Sequence, residues 1–247
     1  MAHAFRTDRF DAALLDLDGV VTDTARLHAL CWKRVFDELL ERRAKAAGEP
    51  FRPFDPRLDY ERYVDGKARR DGVRDFLASR GIRVPEGSAD APPGEDSIAG
   101  IARRKDALFG ETLDREGVEV YPGTVRWVEH LRESGLRTAI VSSSHHCEEV
   151  LRAAGLCHLF DARVDGQVAD RLQLAGKPAP DVFLAAAHAL GVAPARALVV
   201  EDALSGVAAG RAGGFALVVG VARHGNAAEL RAAGADVAVE DLAELLP

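Results

Sequence analysis

Only three cysteines, Cys31, Cys147 and Cys157, occur in the 247 residues, and no pair has Cys-x-x-Cys spacing. An odd, scattered set excludes a self-contained disulfide framework and a cysteine-rich zinc site, and it favours reduced thiols. No apolar run approaches the ~20 residues that span a bilayer, and residues 1–11 lack the apolar core of a secretory leader, so the cytoplasm is the expected compartment. Basic residues are in deficit: the net charge is −7 at pH 7 and no basic stripe occurs. Nucleic acid and membrane surfaces are therefore not expected partners, and an anionic ligand must be captured by local cations. Two common catalytic signatures are missing as well. Gly176-Lys177 is followed by Pro178 where a nucleotide-binding loop needs Ser or Thr, and no serine sits in a Gly-x-Ser-x-Gly elbow. The adjacent His145-His146 lack the one-face helical spacing of a metal-binding pair and read as a surface or substrate-edge feature. No internal repeat or long low-complexity tract is found.

What is present is a set of polar residues at the ends of apolar stretches. Ala12-Ala13-Leu14-Leu15 predicts a buried strand, and Asp16-Leu17-Asp18-Gly19-Val20-Val21-Thr22-Asp23-Thr24 follows it at once. Side chains two apart on extended chain point the same way, so the carboxylates of Asp16 and Asp18 can converge while Gly19 lets the backbone turn. Such oxygens suit Mg²⁺. Beside a phosphorylated substrate, one carboxylate can act as nucleophile while the second exchanges protons with the leaving or attacking oxygen. An isolated Asp-Gly would read as a polar turn, but three further signals accompany this one. Thr138–Val141 runs into Ser142-Ser143-Ser144, Gly176-Lys177-Pro178-Ala179-Pro180-Asp181 opens a helix, and Ala197–Val200 ends in Glu201-Asp202.

Helical spacing of Leu27, Leu30, Cys31, Val35, Leu39 and Leu40 predicts a long helix ending near Gly48. Turn formers then dominate to about residue 98, with an amphipathic piece at Val73, Phe76 and Leu77, and Ser97 starts another helix. From Thr124 the pattern is helix at 125–134, strand at 137–141, helix at 147–154, helix at 180–190, strand at 197–200, helix at 204–212 and strand at 215–221. The fold class is therefore α/β: a doubly wound, Rossmann-like parallel-sheet core, residues 1–26 and 120–247, with an inserted, mostly helical cap, residues 27–119.

In order and spacing, the Asp-x-Asp, the serine, the lysine and the acidic pair resemble the four motifs of the haloacid dehalogenase superfamily. Within it, Asp16–Thr24 with His28 and Trp32, Gly176–Phe183 and Glu201–Gly210 resemble the β-phosphoglucomutase-like subgroup over almost the whole chain. The resemblance implies a Mg²⁺-dependent phosphoryl-transfer enzyme that interconverts β-glucose 1-phosphate and glucose 6-phosphate through a bisphosphate intermediate. It makes Asp16 the nucleophile and Asp18 the general acid/base. It has Lys177 and Ser142 steady the transferring phosphoryl, and it places the metal on Asp16, Asp18 (through its backbone carbonyl), Asp202 and, directly or indirectly, Glu201. Substrate contacts are implied for Thr24, His28, Trp32, Gly66, Lys67, Arg69, Lys105, Ser143, Ser144 and His145, with Arg69 and Lys105 on the non-transferring phosphate. After Ser144 the related mutases carry a basic residue and Asn, where this chain has His145-His146. The expected partner is a small phosphorylated sugar and the expected state a monomer. Two alternatives stand beside this reading: a sugar-phosphate phosphatase of the same superfamily, and a non-catalytic phosphoacceptor or ligand-binding module, since fold alone does not define activity.

Overall fold

The computed structural model describes residues 7–88 and 90–247. Residues 1–6, on which part of the leader reading and the start of the expected core fall, lie outside the described residues. The chain forms two compact units, residues 7–24 with Val118–Pro247, and Ala25–Gly117.

The first unit is built on six parallel strands in the order β3-β2-β1-β4-β5-β6. These are β1 (Ala12–Leu15), β2 (Arg137–Val141), β3 (Ala162–Val164), β4 (Ala197–Glu201), β5 (Leu217–Val221) and β6 (Val237–Val239). β1 and β4 are buried at every position, which is why they read as unbroken apolar runs rather than alternating ones. Leu15 is level with Ile140 of β2 on one side and Val200 of β4 on the other, so the residues that follow all three strands emerge at one height. The chain winds outward in both directions from the β1/β4 pair, and that switch point is where open α/β sheets bind ligands.

Helices cover the sheet: α4 (Pro122–Glu133), α5 (Cys147–Ala153), α6 (Gly166–Leu172), α7 (Asp181–Leu190), α8 (Leu204–Ala212) and α9 (Ala227–Ala233). Pro122 at the first position of α4 loses no intrahelical hydrogen bond there. Phe183, Ala186 and Leu190 of α7 pack on Leu14, Ala139 and Val199, while Val207 and Leu230 pack with Val218 on the β5 side.

The second unit is helical: α1 (Thr24–Ala47), which starts in the first unit, a π-turn at Tyr60–Val64, α2 (Arg69–Ser79) and α3 (Ile98–Glu116). Its centre is aromatic, with Phe36 against Phe76 (ring centroids 4.2 Å apart), Trp32 and Phe54. Among the described residues no helix is long and apolar enough to cross a membrane. All three cysteines are free thiols. Burial pushes the thiols of Cys31 and Cys147 up, which keeps both protonated, and Cys157 is exposed.

Candidate active site

The residues that follow β1, β2 and β4 converge because the three strands are in register, and a fourth group reaches them from the loop before α7. Lys177 is that group. Its ammonium is fully buried and has three partners for its three protons: Asp16 Oδ1 at 2.5 Å, Glu201 Oε1 at 2.6 Å and the Val141 carbonyl at 3.2 Å. Burial acts to lower the lysine pKa, but the charges of Asp16 and Glu201 outweigh it and hold the ammonium above its ordinary range. Asp16 is shifted upward, because burial of its carboxylate, reinforced by nearby Glu201 and Asp18, outweighs the attraction of Lys177. A buried carboxylate in that state is a strong site for additional positive charge.

One carboxylate oxygen from each of Asp16, Glu201 and Asp202 lies within 4.8 Å of the others. Three carboxylates against one lysine leave a local excess of negative charge, and hard oxygen donors of this kind fit a small divalent cation. The backbone makes room for the cluster. Gly19 has φ +88°, and a β-carbon there would collide with the Asp202 carboxylate; one at Gly206 would collide with that of Glu201. Glu201 accepts from Lys177 through Oε1 and from the Ala203 amide (2.9 Å) through Oε2, so its first task is to hold the lysine. Among the ligands expected for a metal, the carboxylate of Asp18 is not in the cluster.

Asp18 meets hydroxyls instead. Ser142 Oγ donates to Oδ2 at 3.1 Å and Thr24 Oγ1 donates to Oδ1 at 2.5 Å. Ser142 also accepts from the Ser144 amide (3.0 Å), and the Thr24 hydroxyl lies 2.7 Å from that of Thr22. Thr24, expected at the substrate, is thus fully buried and holds Asp18. Ser144 Oγ accepts from the His146 amide, Ser143 is partly exposed beside it, and the two imidazoles face acids: His145 Nε2 is 3.1 Å from Asp170 and His146 Nδ1 is 2.6 Å from Glu149.

The remaining expected substrate contacts lie in the helical unit. Lys105 is buried with its ammonium 4.7 Å from the Phe109 ring centroid and 5.4 Å from that of Trp32, and it meets Nδ1 of His28, whose ring stacks on Phe109. Trp32 is a wall of this cage and of the aromatic core. Gly66 (φ +69°) turns the chain ahead of α2, Lys67 pairs with Asp75 at 2.6 Å, and Arg69 pairs with Asp106.

Sequence reasoning missed three residues of the first unit. Thr22 extends the hydroxyl chain, Tyr121 donates to Asp23 (3.0 Å), and Arg223 grips the carbonyls of Gly19 and Val20. Thr22 was visible in the Val-Thr-Asp-Thr string. Arg223, just beyond a strand end, carried no motif.

A doubly wound parallel sheet with a carboxylate trio and a buried lysine at its switch point defines a phosphoryl-handling α/β enzyme class. The model of the haloacid dehalogenase-like hydrolase family matches residues 10–214, and the chain belongs to that family. Within it, the chain is a β-phosphoglucomutase-like member. It is 52% identical over 242 residues to the β-phosphoglucomutase of Mycobacterium bovis, covering 97% of this chain and 92% of the relative. A phosphorylated carbohydrates phosphatase of Thermotoga maritima is 27% identical over 222 residues, with 87% of each chain covered. The crystal structure of β-phosphoglucomutase from Clostridium difficile shares the fold, with a TM-score of 0.74, 24% identity, and coverage of 96% of this chain and 93% of that one.

Proposed function

We propose that this protein is a Mg²⁺-dependent phosphomutase that interconverts β-glucose 1-phosphate and glucose 6-phosphate, with Asp16 as the phosphoryl carrier and Asp18 as the proton carrier. The observation that carries the reading is the division of partners between the two acids. Asp16 sits in a buried, lysine-bridged anionic cluster, while Asp18, two residues on, rests on hydroxyls that can release it. A carboxylate attacks phosphorus only when the negative charge around it is offset, and Lys177 offsets it here.

A Mg²⁺ ion held by Asp16, Asp202 and the Asp18 backbone carbonyl would neutralise the phosphoryl oxygens. In the forward half-reaction Asp16 Oδ bonds to phosphorus as the bond from phosphorus to the sugar oxygen breaks, and Asp18 delivers a proton to that oxygen. In the return half-reaction the 6-hydroxyl of a β-glucose 1-phosphate attacks the phosphorus carried by Asp16, Asp18 takes the hydroxyl proton as Asp16 leaves, and the bisphosphate so formed turns end for end and enters the first half-reaction at its other phosphate. Ser142 is assigned to phosphoryl oxygens once it exchanges Asp18 for substrate, and Glu201 keeps Lys177 in place. The helical unit serves as the cap. Arg69, with Lys105, takes the non-transferring phosphate, Arg69 by exchanging Asp106 for it, since a guanidinium fork suits a phosphate and Lys105 adds a point charge. Lys67 and His28 are assigned to the sugar side, and His145 to a further substrate contact.

The test supplies β-glucose 1-phosphate, Mg²⁺ and a trace of the glucose 1,6-bisphosphate, and follows glucose 6-phosphate and free phosphate in parallel. Glucose 6-phosphate in large excess over phosphate supports the mutase. Phosphate release without glucose 6-phosphate assigns the chain to sugar-phosphate hydrolysis, because the same aspartyl phosphate is then open to water.

A further inference from the structure

We infer that Arg223 is a positioning residue for catalysis, which fixes the Asp18-Gly19-Val20 turn from below and ties it to the C-terminal segment. Arg223 lies two residues beyond β5, at the sheet end that carries Asp16 and Asp202. Its side chain is 12% exposed and every guanidinium nitrogen is used. Nε donates to the Gly19 carbonyl at 3.0 Å. Nη2 donates to the Val20 carbonyl at 3.2 Å and to Thr124 Oγ1 at 3.1 Å, and Nη1 donates to Asp241 Oδ2 at 3.1 Å and to the Glu240 carbonyl at 3.3 Å. The guanidinium carbon stands 3.5 Å from the centroid of the Tyr121 ring. Thr124 reinforces the grip by donating to the same Val20 carbonyl at 2.8 Å.

The turn needs such a grip. Gly19 is in the left-handed region and has no side chain to anchor it, yet the Asp202 carboxylate packs directly on its α-carbon. The peptide planes after Gly19 and Val20 therefore set how Asp18 and Asp202 stand relative to Asp16. A planar, five-donor fork can hold two successive carbonyls and a carboxylate together, whereas an ammonium on a flexible stem cannot. The second half of the clamp, Asp241, also accepts from the Ala243 amide (2.8 Å), and Gly123 at the start of α4 is small enough to admit its carboxylate. Both Arg223 and Asp241 lie outside residues 10–214, the span the family model matches. The structure thus assigns the C-terminal segment a part in holding the catalytic turn.

The inference rests on the proposed roles of Asp16, Asp18 and Asp202 for its kinetic and Mg²⁺ arms but not for amide exchange, and wild type is assayed first so that failure of those roles is seen separately. Arg223→Met is compared with Arg132→Met, which removes bonds to Thr138, Leu159 and Asp161 at the opposite end of β2. In Arg223→Met the amides of Gly19, Val21 and Thr22, bonded now to Thr22 and Leu17 carbonyls, exchange with solvent about tenfold or more faster. Its Mg²⁺ affinity, titrated without substrate, falls several-fold. Its kcat falls about 10- to 100-fold while KM for the sugar phosphate stays within about twofold. Arg132→Met lowers Tm comparably but leaves all three readouts at wild-type values. Arg223→Lys folds with the charge kept and still exchanges fast at these amides, and it carries the test if Arg223→Met cannot be purified. Wild-type amide protection and Mg²⁺ affinity in the Arg223 variants overturn the inference, as does a loss in both Met variants that simply follows Tm.

Discussion

Asp16 and Asp18 are separated by one leucine, and their surroundings differ in what they do to a proton. Asp16 has the Lys177 ammonium at 2.5 Å, which favours its charged form against burial and the neighbouring acids. Asp18 accepts from two hydroxyls, and the hydrogens of that chain can be counted. Thr24 gives its one proton to Asp18, so the 2.7 Å contact with Thr22 is a donation from Thr22 to Thr24. When Asp18 is protonated the chain can reverse, Asp18 donating to Thr24 and Thr24 to Thr22, whose hydroxyl then turns to the Leu17 carbonyl 3.3 Å away. Either protonation state of Asp18 therefore has a satisfied hydrogen-bond partner. Asp16→Asn removes the attacking carboxylate and is expected to cut turnover by on the order of 10⁴-fold or more with the fold retained, measured by the coupled assay beside circular dichroism. Asp18→Asn removes only proton transfer, and a loss of about 10²- to 10⁴-fold is expected. Activity of either variant near wild type would remove it from its role. Gly19→Ala forces a β-carbon into the left-handed region, at about 1–2 kcal/mol, and against the Asp202 carboxylate. Weakened Mg²⁺ binding in a folded protein is the predicted result, and unchanged affinity would separate Asp202 from the metal.

At the scale of elements, legibility followed length and polarity. The long helix α1, the amphipathic α2 and the apolar strands β1, β2, β4 and β5 all appear where the apolar spacing placed them. β3 and β6 were missed because each has only three residues: β3 carries Arg163 at its centre, and the apolar Val237–Val239 of β6 is too short to read as a strand. With them went α6 and α9, of seven residues each; α5 is no longer, but it buries Cys147, Val150 and Leu151 at helical spacing, whereas α6 and α9 bury one residue apiece and show no such stripe. The acids, the serine and the lysine were legible because motif residues at strand ends need only the strand's end to be found. Of their supports, Tyr121 and Arg223 were not, since their partners Asp23, Gly19 and Val20 lie far along the chain, whereas Thr22 bonds locally to Thr24 and Leu17 within a legible string. Two element-level variants probe the helical unit. Ser97 caps α3 by accepting from the Gly100 amide at 3.1 Å, and Ser97→Ala should cost about 1 kcal/mol in urea unfolding with no change in kcat. Arg69→Ala removes the guanidinium proposed to bind phosphate, and on that proposal KM should rise about 10- to 100-fold while phosphorylation of Asp16 by acetyl phosphate persists. An unchanged KM would leave Arg69 as a partner of Asp106 alone.

The whole molecule carries acid-sensitive ion pairs spread over both units. Arg196 holds the Asp11 carboxyl below its ordinary value, the Leu58 and Arg57 amides do so for Asp55, Arg74 for Glu86 and Arg163 for Glu148. At Asp161 partial burial acts the other way but is outweighed by the Thr138 amide and Arg132. A carboxyl with a lowered folded-state pKa contributes stability above its unfolded value, about 4, and that contribution is lost as pH falls through the folded value. Urea midpoints should therefore fall below about pH 4, with a shallower fall in Asp161→Asn, while Asp16, whose pKa is raised, acts in the opposite sense above that range. A midpoint that keeps rising below about pH 4, or a fall just as steep in Asp161→Asn, would contradict these assignments. Net charge and composition said nothing of the clamp at Arg223, because a single arginine does not show in a sum. The most direct measurement concerns the covalent step on which the molecule's proposed chemistry turns. Protein loaded with Mg²⁺ is mixed with glucose 1,6-bisphosphate, quenched in acid, reduced with borohydride and mapped by peptide mass spectrometry. The account predicts conversion of residue 16 from aspartate to homoserine, with no such product in Asp16→Asn. Turnover with residue 16 unmodified, or modification at another residue, would contradict it.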